Sequence, residues 1–143
     1  MKPDRVRAPR PVARPKSAWR KTLGARAHRQ GHGAEWVAAI WLMLRGYQIL
    51  GFRMRSRAGE IDILARRGRV LAVVEVKRRA TMEAAINALG PDQYQRLLAA
   101  GRAVLKGRPG LAGLSLRIDV VALAPGRVPR HLPGRVSQEG RFP

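Results

Sequence analysis

The chain has 143 residues, 45% of them hydrophobic, with 29 basic and 9 acidic side chains, a formal charge of +20 and no cysteine. That length suits one compact domain with a moderate core. The absence of cysteine excludes disulfides, thiolate zinc sites and cysteine nucleophiles and fits a reducing compartment, while the charge favours a polyanionic partner, nucleic acid first.

Residues 1–32 carry ten basic side chains, from Lys2 to Arg29, against Asp4 alone, and Pro3, Pro9, Pro11 and Pro15 interrupt them. This composition predicts a disordered basic tail. A phosphate-binding arm, an organelle transit peptide and translation upstream of the true start all remain open readings of it. The rest of the chain keeps 19 basic against 8 acidic residues, a charge of +11, so the domain is basic in its own right. Arginine supplies 24 of the 29 bases. Guanidinium forks bind phosphate bidentately, and an arginine bias also arises from genomic base composition. His28, His32 and His131 show no metal-ligand spacing. The longest apolar run, residues 36–44, is too short to span a bilayer, and no apolar signal region lies near Met1. The expectation is a cytoplasmic protein with no membrane association.

The domain is predicted over residues 33–124. Residues 33–45 read as a helix ended by Gly46, apolar nearly all round and therefore expected to be buried on most sides, with Trp36 and Trp41 in the core. A strand follows over residues 47–54, then a basic loop over residues 55–59. Residues 59–64 and 71–77 read as two short apolar strands joined through Arg66-Arg67-Gly68-Arg69, where Gly68 tolerates positive φ. A two-residue turn at Arg67-Gly68 would pair Ala65 with Val70 and Asp62 with Val73. Asp62 and Glu75 would then be diagonal neighbours with Cβ atoms about 7 Å apart. Residues 81–89 are ambiguous between loop and short helix. Pro91 opens a helix to about Leu105, and residues 114–123 have strand character with Leu116, Ile118 and Val120 on one parity. Residues 125–143, rich in Pro, Gly and Arg, are predicted to be irregular.

Within the two strands of the hairpin, Asp62, Glu75 and Lys77 share a parity, and in a strand a parity is a face. Two carboxylates and a lysine on one buried face carry a desolvation cost that a divalent cation would offset. Glu35 sits in the first turn of an apolar helix, where it is either a metal-site acid or a carboxylate stabilised by the helix dipole. Glu60 shares the parity of Asp62 and is either a site member or a solvated charge paired with Arg57. Asp119, among apolar neighbours, reads as a structural acid paired with an arginine. Arg55, Arg57, Arg66, Arg67, Arg69, Arg78 and Arg79 cluster in sequence around the hairpin, as a phosphate-tracking surface or as solubilising charge.

A helix with Glu35, a strand with Asp62 and then Glu75-Val76-Lys77 resembles the PD-(D/E)xK phosphodiesterase superfamily. More closely, Gly46-Tyr47-Gln48-Ile49-Leu50, Gly59-Glu60-Ile61-Asp62, Val74-Glu75-Val76-Lys77-Arg78-Arg79 and Arg117-Ile118-Asp119-Val120-Val121 together resemble the YraN family of bacterial proteins, over residues 33–123. The resemblance implies an α/β restriction-endonuclease-like core, a mixed central sheet flanked by helices. It implies Mg²⁺ or Mn²⁺ held by Asp62, Glu75 and, through a water, Glu35, with the Val76 carbonyl as a further ligand. Lys77 would orient the attacking water or meet developing negative charge. Gln93 is an accessory candidate at a position where the family usually has lysine, and Arg53 stands where the family tends to have asparagine. The expected activity is metal-dependent hydrolysis of phosphodiester bonds in DNA, branched or damaged DNA by superfamily analogy. The alternatives are a non-catalytic nucleic-acid-binding module on the same fold and a basic RNA- or ribosome-associated factor. Superfamily analogy also admits a homodimer without fixing one.

Overall fold

The computed structural model describes residues 33–134, and the predicted basic tail lies outside them. Helix α1 covers residues 33–44. Its end is set by Gly46, whose φ of +90° lets the Gly46 N–H reach Met43 O and the Tyr47 N–H reach Leu42 O, the paired bonds of a Schellman cap. Five strands follow in one sheet: β1 Gln48–Arg55, β2 Glu60–Arg67, β3 Val70–Arg78, β4 Ser115–Leu123 and β5 Arg130–Leu132, in spatial order β1-β2-β3-β4-β5. Between β3 and β4 the chain passes through α2 Met82–Ile86, capped by the Thr81 hydroxyl on Ala84 N–H, then α3 Pro91–Gly107 and a 3-10 turn at Pro109–Leu111. That crossover makes β4 parallel to β3, while all other neighbouring strands are antiparallel. The result is the mixed sheet flanked by helices of an α/β fold, consistent with a restriction-endonuclease-like core. Among the described residues no helix is long and apolar enough to cross a membrane.

Central position explains the composition of β3. Both faces of Val70–Arg78 are covered, so it reads as a nearly continuous apolar run until Glu75. One face, with Ala72 and Val74, packs with Ile63, Ala65 and Val121 beneath Ala38, Ala39 and Leu42 of α1. The other, with Leu71 and Val73, packs with Leu64, Ile118 and Val120 beneath Leu97 and Ala100 of α3. Glu75 and Lys77 share the parity of Leu71 and Val73 and therefore continue the α3 face toward the end of the strand.

Three expectations change. The hairpin turns at Gly68 and Arg69, with Arg67 opposite Val70, Gly68 at φ +61° and Ile63 opposite Val74. The ladder ends at that pair, and continuing its register sets Asp62 level with Glu75 and not with Val73. Helix α1 buries only one side: Glu35, Ala38, Ala39 and Leu42 are inside, whereas Trp36, Val37, Ile40, Met43 and Leu44 are exposed, and Trp41 is only half-buried. Finally, the segment after Leu123, predicted to be irregular, contributes β5. Its His131 Nε2 lies 2.8 Å from Asp119 Oδ2, and the Gly134 N–H donates to Asp119 Oδ1 at 3.0 Å, so a buried acid in β4 anchors a strand that composition alone hides.

Candidate functional site

The antiparallel register of β2 and β3 brings Asp62 and Glu75 together near the end of the sheet where β2 begins and β3 finishes. Asp62 Oδ2 accepts the Val76 backbone N–H at 2.8 Å. Glu75 Oε2 lies 3.2 Å from Lys77 Nζ and accepts the Gln93 side-chain N–H at 2.7 Å, while Lys77 Nζ donates to Gln93 Oε1 at 2.7 Å. Gln93, in the first turn of α3, thus bridges the lysine and the glutamate with both ends of one amide. Its amide orientation is dictated by those partners, since an ammonium only donates and a carboxylate only accepts.

Burial governs the charge state of these acids. Glu75 is 7% exposed, and its pKa is pushed up to about 7, first by burial and then by the neighbouring Asp62 charge, with Lys77 pulling the other way. Asp62 is raised too, chiefly by burial, against the Val76 hydrogen bond. A 3.2 Å ion pair with Lys77 would ordinarily hold a carboxyl low, but here desolvation and the second carboxylate outweigh it. The pair therefore holds a proton near neutral pH, and a divalent cation is the natural replacement for that proton.

Glu35 also arrives at this end of the sheet, from the opposite layer. It is 7% exposed, Arg53 Nη1 stands 3.5 Å from its Oε2, and its Oε1 is buried with no hydrogen-bond partner among the described residues. Burial raises its pKa, Arg53 lowers it, and the charges of Asp62 and Glu60 raise it, so Glu35 feels one acid of the pair, Asp62. Among the described residues no three His, Cys, Asp or Glu side chains are gathered closely enough to hold a metal ion. The structure joins Glu75, Lys77 and Gln93 in one bonded cluster beside Asp62, which is held by the Val76 N–H, and leaves Glu35 beside Arg53. Glu60 is exposed and pairs with Arg55 across the β1–β2 ladder at 3.7 Å, where the sequence suggested Arg57.

Seven arginines adjacent in sequence divide in space. Arg55, Arg57, Arg78 and Arg79 lie exposed at or near the strand ends that carry the acids. Arg66, Arg67 and Arg69 lie at the other end of the hairpin, Arg67 about 17 Å along β2 from Asp62 at the rise of an extended strand. Arg67 is engaged there: it donates to Arg45 O at 2.8 Å, and its guanidinium lies 4.8 Å from the centre of the Tyr47 ring. Arg66 Nε donates to Gly68 O in the turn.

A family profile described as "Uncharacterised protein family UPF0102" matches residues 34–123, the span that contains α1 and β1 to β4. The chain belongs to UPF0102, the YraN family. Among its relatives, a UPF0102 protein of Caulobacter vibrioides is 53% identical over 114 residues, covering 80% of this chain and 91% of the relative. A UPF0102 protein of Parvibaculum lavamentivorans is 46% identical over 132 residues, covering 92% and 96%. One of Paramagnetospirillum magneticum is 50% identical over 111 residues, covering 75% and 86%. In this UPF0102 chain every member of the Asp62 cluster lies inside the family span, and the β5 anchor at His131 lies beyond it.

Sequence reasoning missed two side chains that organise the surroundings. Arg117 grips Asp119 with both Nε and Nη2 at 2.8 Å and also donates to the Tyr47 hydroxyl, which lies beyond helix α1. Asp119 is thus the structural acid that its apolar neighbours suggested, with its pKa lowered by Arg117, His131 and the Gly134 N–H against burial. An R-x-D spacing within a strand, which sets both side chains on one face, was the legible sign of the arginine; nothing in the sequence points to His131.

Proposed function

We propose that this protein is a metal-dependent nuclease that hydrolyses phosphodiester bonds in DNA. The observation that carries the reading is the cluster itself: two register-paired carboxylates that share a buried end of the sheet with a lysine, in a chain of net charge +20. Asp62 and Glu75 would hold Mg²⁺ or Mn²⁺. Mg²⁺ is commonly held by only one or two protein carboxylates, with waters and substrate phosphate completing its shell, so a pair suffices. The donor set fits, because both acids are raised in pKa and each already has one oxygen engaged by a donor, Val76 on Asp62 and Gln93 with Lys77 on Glu75. When bound, the cation supplies charge neutralisation at the phosphoryl oxygens and a more acidic water.

The chain's own groups then have distinct tasks. Gln93 holds the Lys77 ammonium at the acid pair, where it meets negative charge developing on the phosphoryl group. Glu35, with its unsatisfied Oε1, would accept a hydrogen bond from a water at the same end of the sheet. Arg55, Arg57, Arg78 and Arg79 would hold the flanking phosphates and provide backbone recognition without a sequence code. A second reading, a binding module that does not cut, is favoured by the diversion of Glu35 to Arg53.

Labelled duplex, single-stranded and four-way-junction DNA incubated with Mg²⁺, Mn²⁺ or chelator separates the two. Cutting that needs the metal and disappears in both Asp62→Ala and Lys77→Ala supports the nuclease. Tight binding with no cleavage in any arm leaves the binding module.

A further inference from the structure

Helix α1 presents an apolar surface that the candidate site does not use. Trp36, Val37, Ile40, Met43 and Leu44 are 54%, 47%, 50%, 45% and 75% exposed, and the only charged side chain in residues 33–44, Glu35, points inward and is buried. In a chain with 29 basic residues this face carries no cation, which disqualifies it as a place for nucleic acid. We propose that it is the interface of a symmetric homodimer, with a two-fold axis passing beside Ile40.

The spacing is self-complementary. Counted from Ile40, the other four residues fall at −4, −3, +3 and +4, all on one face of a helix. When two such helices pack antiparallel about an axis at Ile40, Trp36 meets Leu44 of the partner subunit and Val37 meets Met43 of the partner subunit. Every large apolar side chain on the face then has a counterpart, as an isologous contact requires. The row Trp36, Ile40, Leu44 is an i, i+4 ridge of the kind that interdigitates between crossing helices.

Area agrees with this occupant. Five side chains of this size and exposure leave on the order of 500 Å² of apolar surface per copy, the range in which a monomer's largest patch is often functional. Pairing two copies buries about 1,000 Å² from these residues alone, which with a polar rim reaches the class of specific interfaces. Strand addition at the neighbouring sheet edge is the less favoured geometry. Edge strand β1 carries a bulge between Ile49 and Gly51 and a left-handed residue at Arg53, φ +47°, both of which break the regular row of hydrogen-bonding groups.

Sedimentation of the full chain across a concentration series tests the proposal. A species of twice 15.8 kDa should grow with concentration and with salt, because salt screens repulsion between two highly basic copies while leaving apolar burial intact. Ile40→Glu should remain a monomer with an unchanged circular dichroism spectrum. The chain has no cysteine, so Ile40→Cys introduces a single thiol, which should form a disulfide between two copies under mild oxidation much faster than Ala103→Cys on the exposed side of α3. A monomer at every concentration overturns the proposal, whether residues 1–32 or another protein takes the face. So does a dimer that persists in Ile40→Glu, or a thiol at residue 40 that links no faster than the one at residue 103.

Discussion

Glu75 is the residue whose ionisation reports on the site. Its folded-state pKa of about 7 lies above the ordinary 4.5, so its contribution to stability is full below pH 4.5 and is lost as pH rises through 7. The loss is on the order of 3 kcal/mol when complete. In chelator the unfolding free energy should therefore fall between pH 5 and pH 8, and Glu75→Gln should flatten that profile; a profile unchanged by the substitution removes the buried acid pair from the account. Asp62 is raised as well and adds in the same direction. Asp119 runs oppositely: its lowered pKa supplies stability above 3.8 that disappears in acid. At Arg53 the backbone sits at φ +47°, a left-handed conformation that costs a residue carrying a Cβ roughly 1 kcal/mol and asparagine less. The side chain returns little of this, since its contact with Glu35 is 3.5 Å long and the Arg53 side chain is 35% exposed. Arg53→Asn should relieve up to about 1 kcal/mol of this strain, seen as a higher denaturant midpoint in acid where Glu35 is protonated, while at neutral pH the higher Glu35 pKa left by the lost cation offsets that gain.

The placement of elements depends on close approach at a few points. Helix α3 can carry Gln93 to the acids because its middle lies tightly against β3 and β4 at Gly101, where an added Cβ would stand 2.7 Å from a Leu116 methyl carbon and 2.9 Å from one of Val73. Gly101→Ala should cost about 1–3 kcal/mol through overpacking, despite the better helix propensity of alanine. If the packing shifts α3, chelator-free cation binding should weaken as well, and a variant with wild-type unfolding and binding would show that the helix has room to move. The tip of the β2–β3 hairpin sets the register of the site. A turn displaced by one residue shifts the pairing by two and alters which residue faces Asp62, and turn position is weakly encoded where the residues at its tip are Arg66, Arg67, Gly68 and Arg69. The binary pattern nevertheless assigned both strands, the α3 helix and the apolar parity of β4 correctly, because those depend on local periodicity.

For the whole molecule, charge and its distribution decide how a polyanion would be bound. Arginines at the acid-bearing end of the sheet should dominate contacts near the cluster, with Arg66 and Arg67 committed to the turn and to Tyr47. Replacing Arg78 and Arg79 by serine should reduce the slope of log affinity against log salt by about 2 for duplex DNA, whereas Arg66→Ser should leave it nearly unchanged; equal effects from both would make the surface diffuse. The polar tokens of the site were readable in the chain itself, since Asp62, Glu75 and Lys77 interrupt apolar strands and an ionisable group in such a run needs a reason. So were the basic character and, through the resemblance its motifs carry, the flanked mixed sheet and the family. The side of α1 left open was not, because a helix apolar all round states that it wants cover without stating how much the rest of the chain supplies. Nor were the direct facing of Asp62 and Glu75, the Gln93 bridge and the His131 anchor. These join residues separated by 12 to 18 positions, and their meeting is set by strand register, helix docking and chain return, which only the folded packing determines.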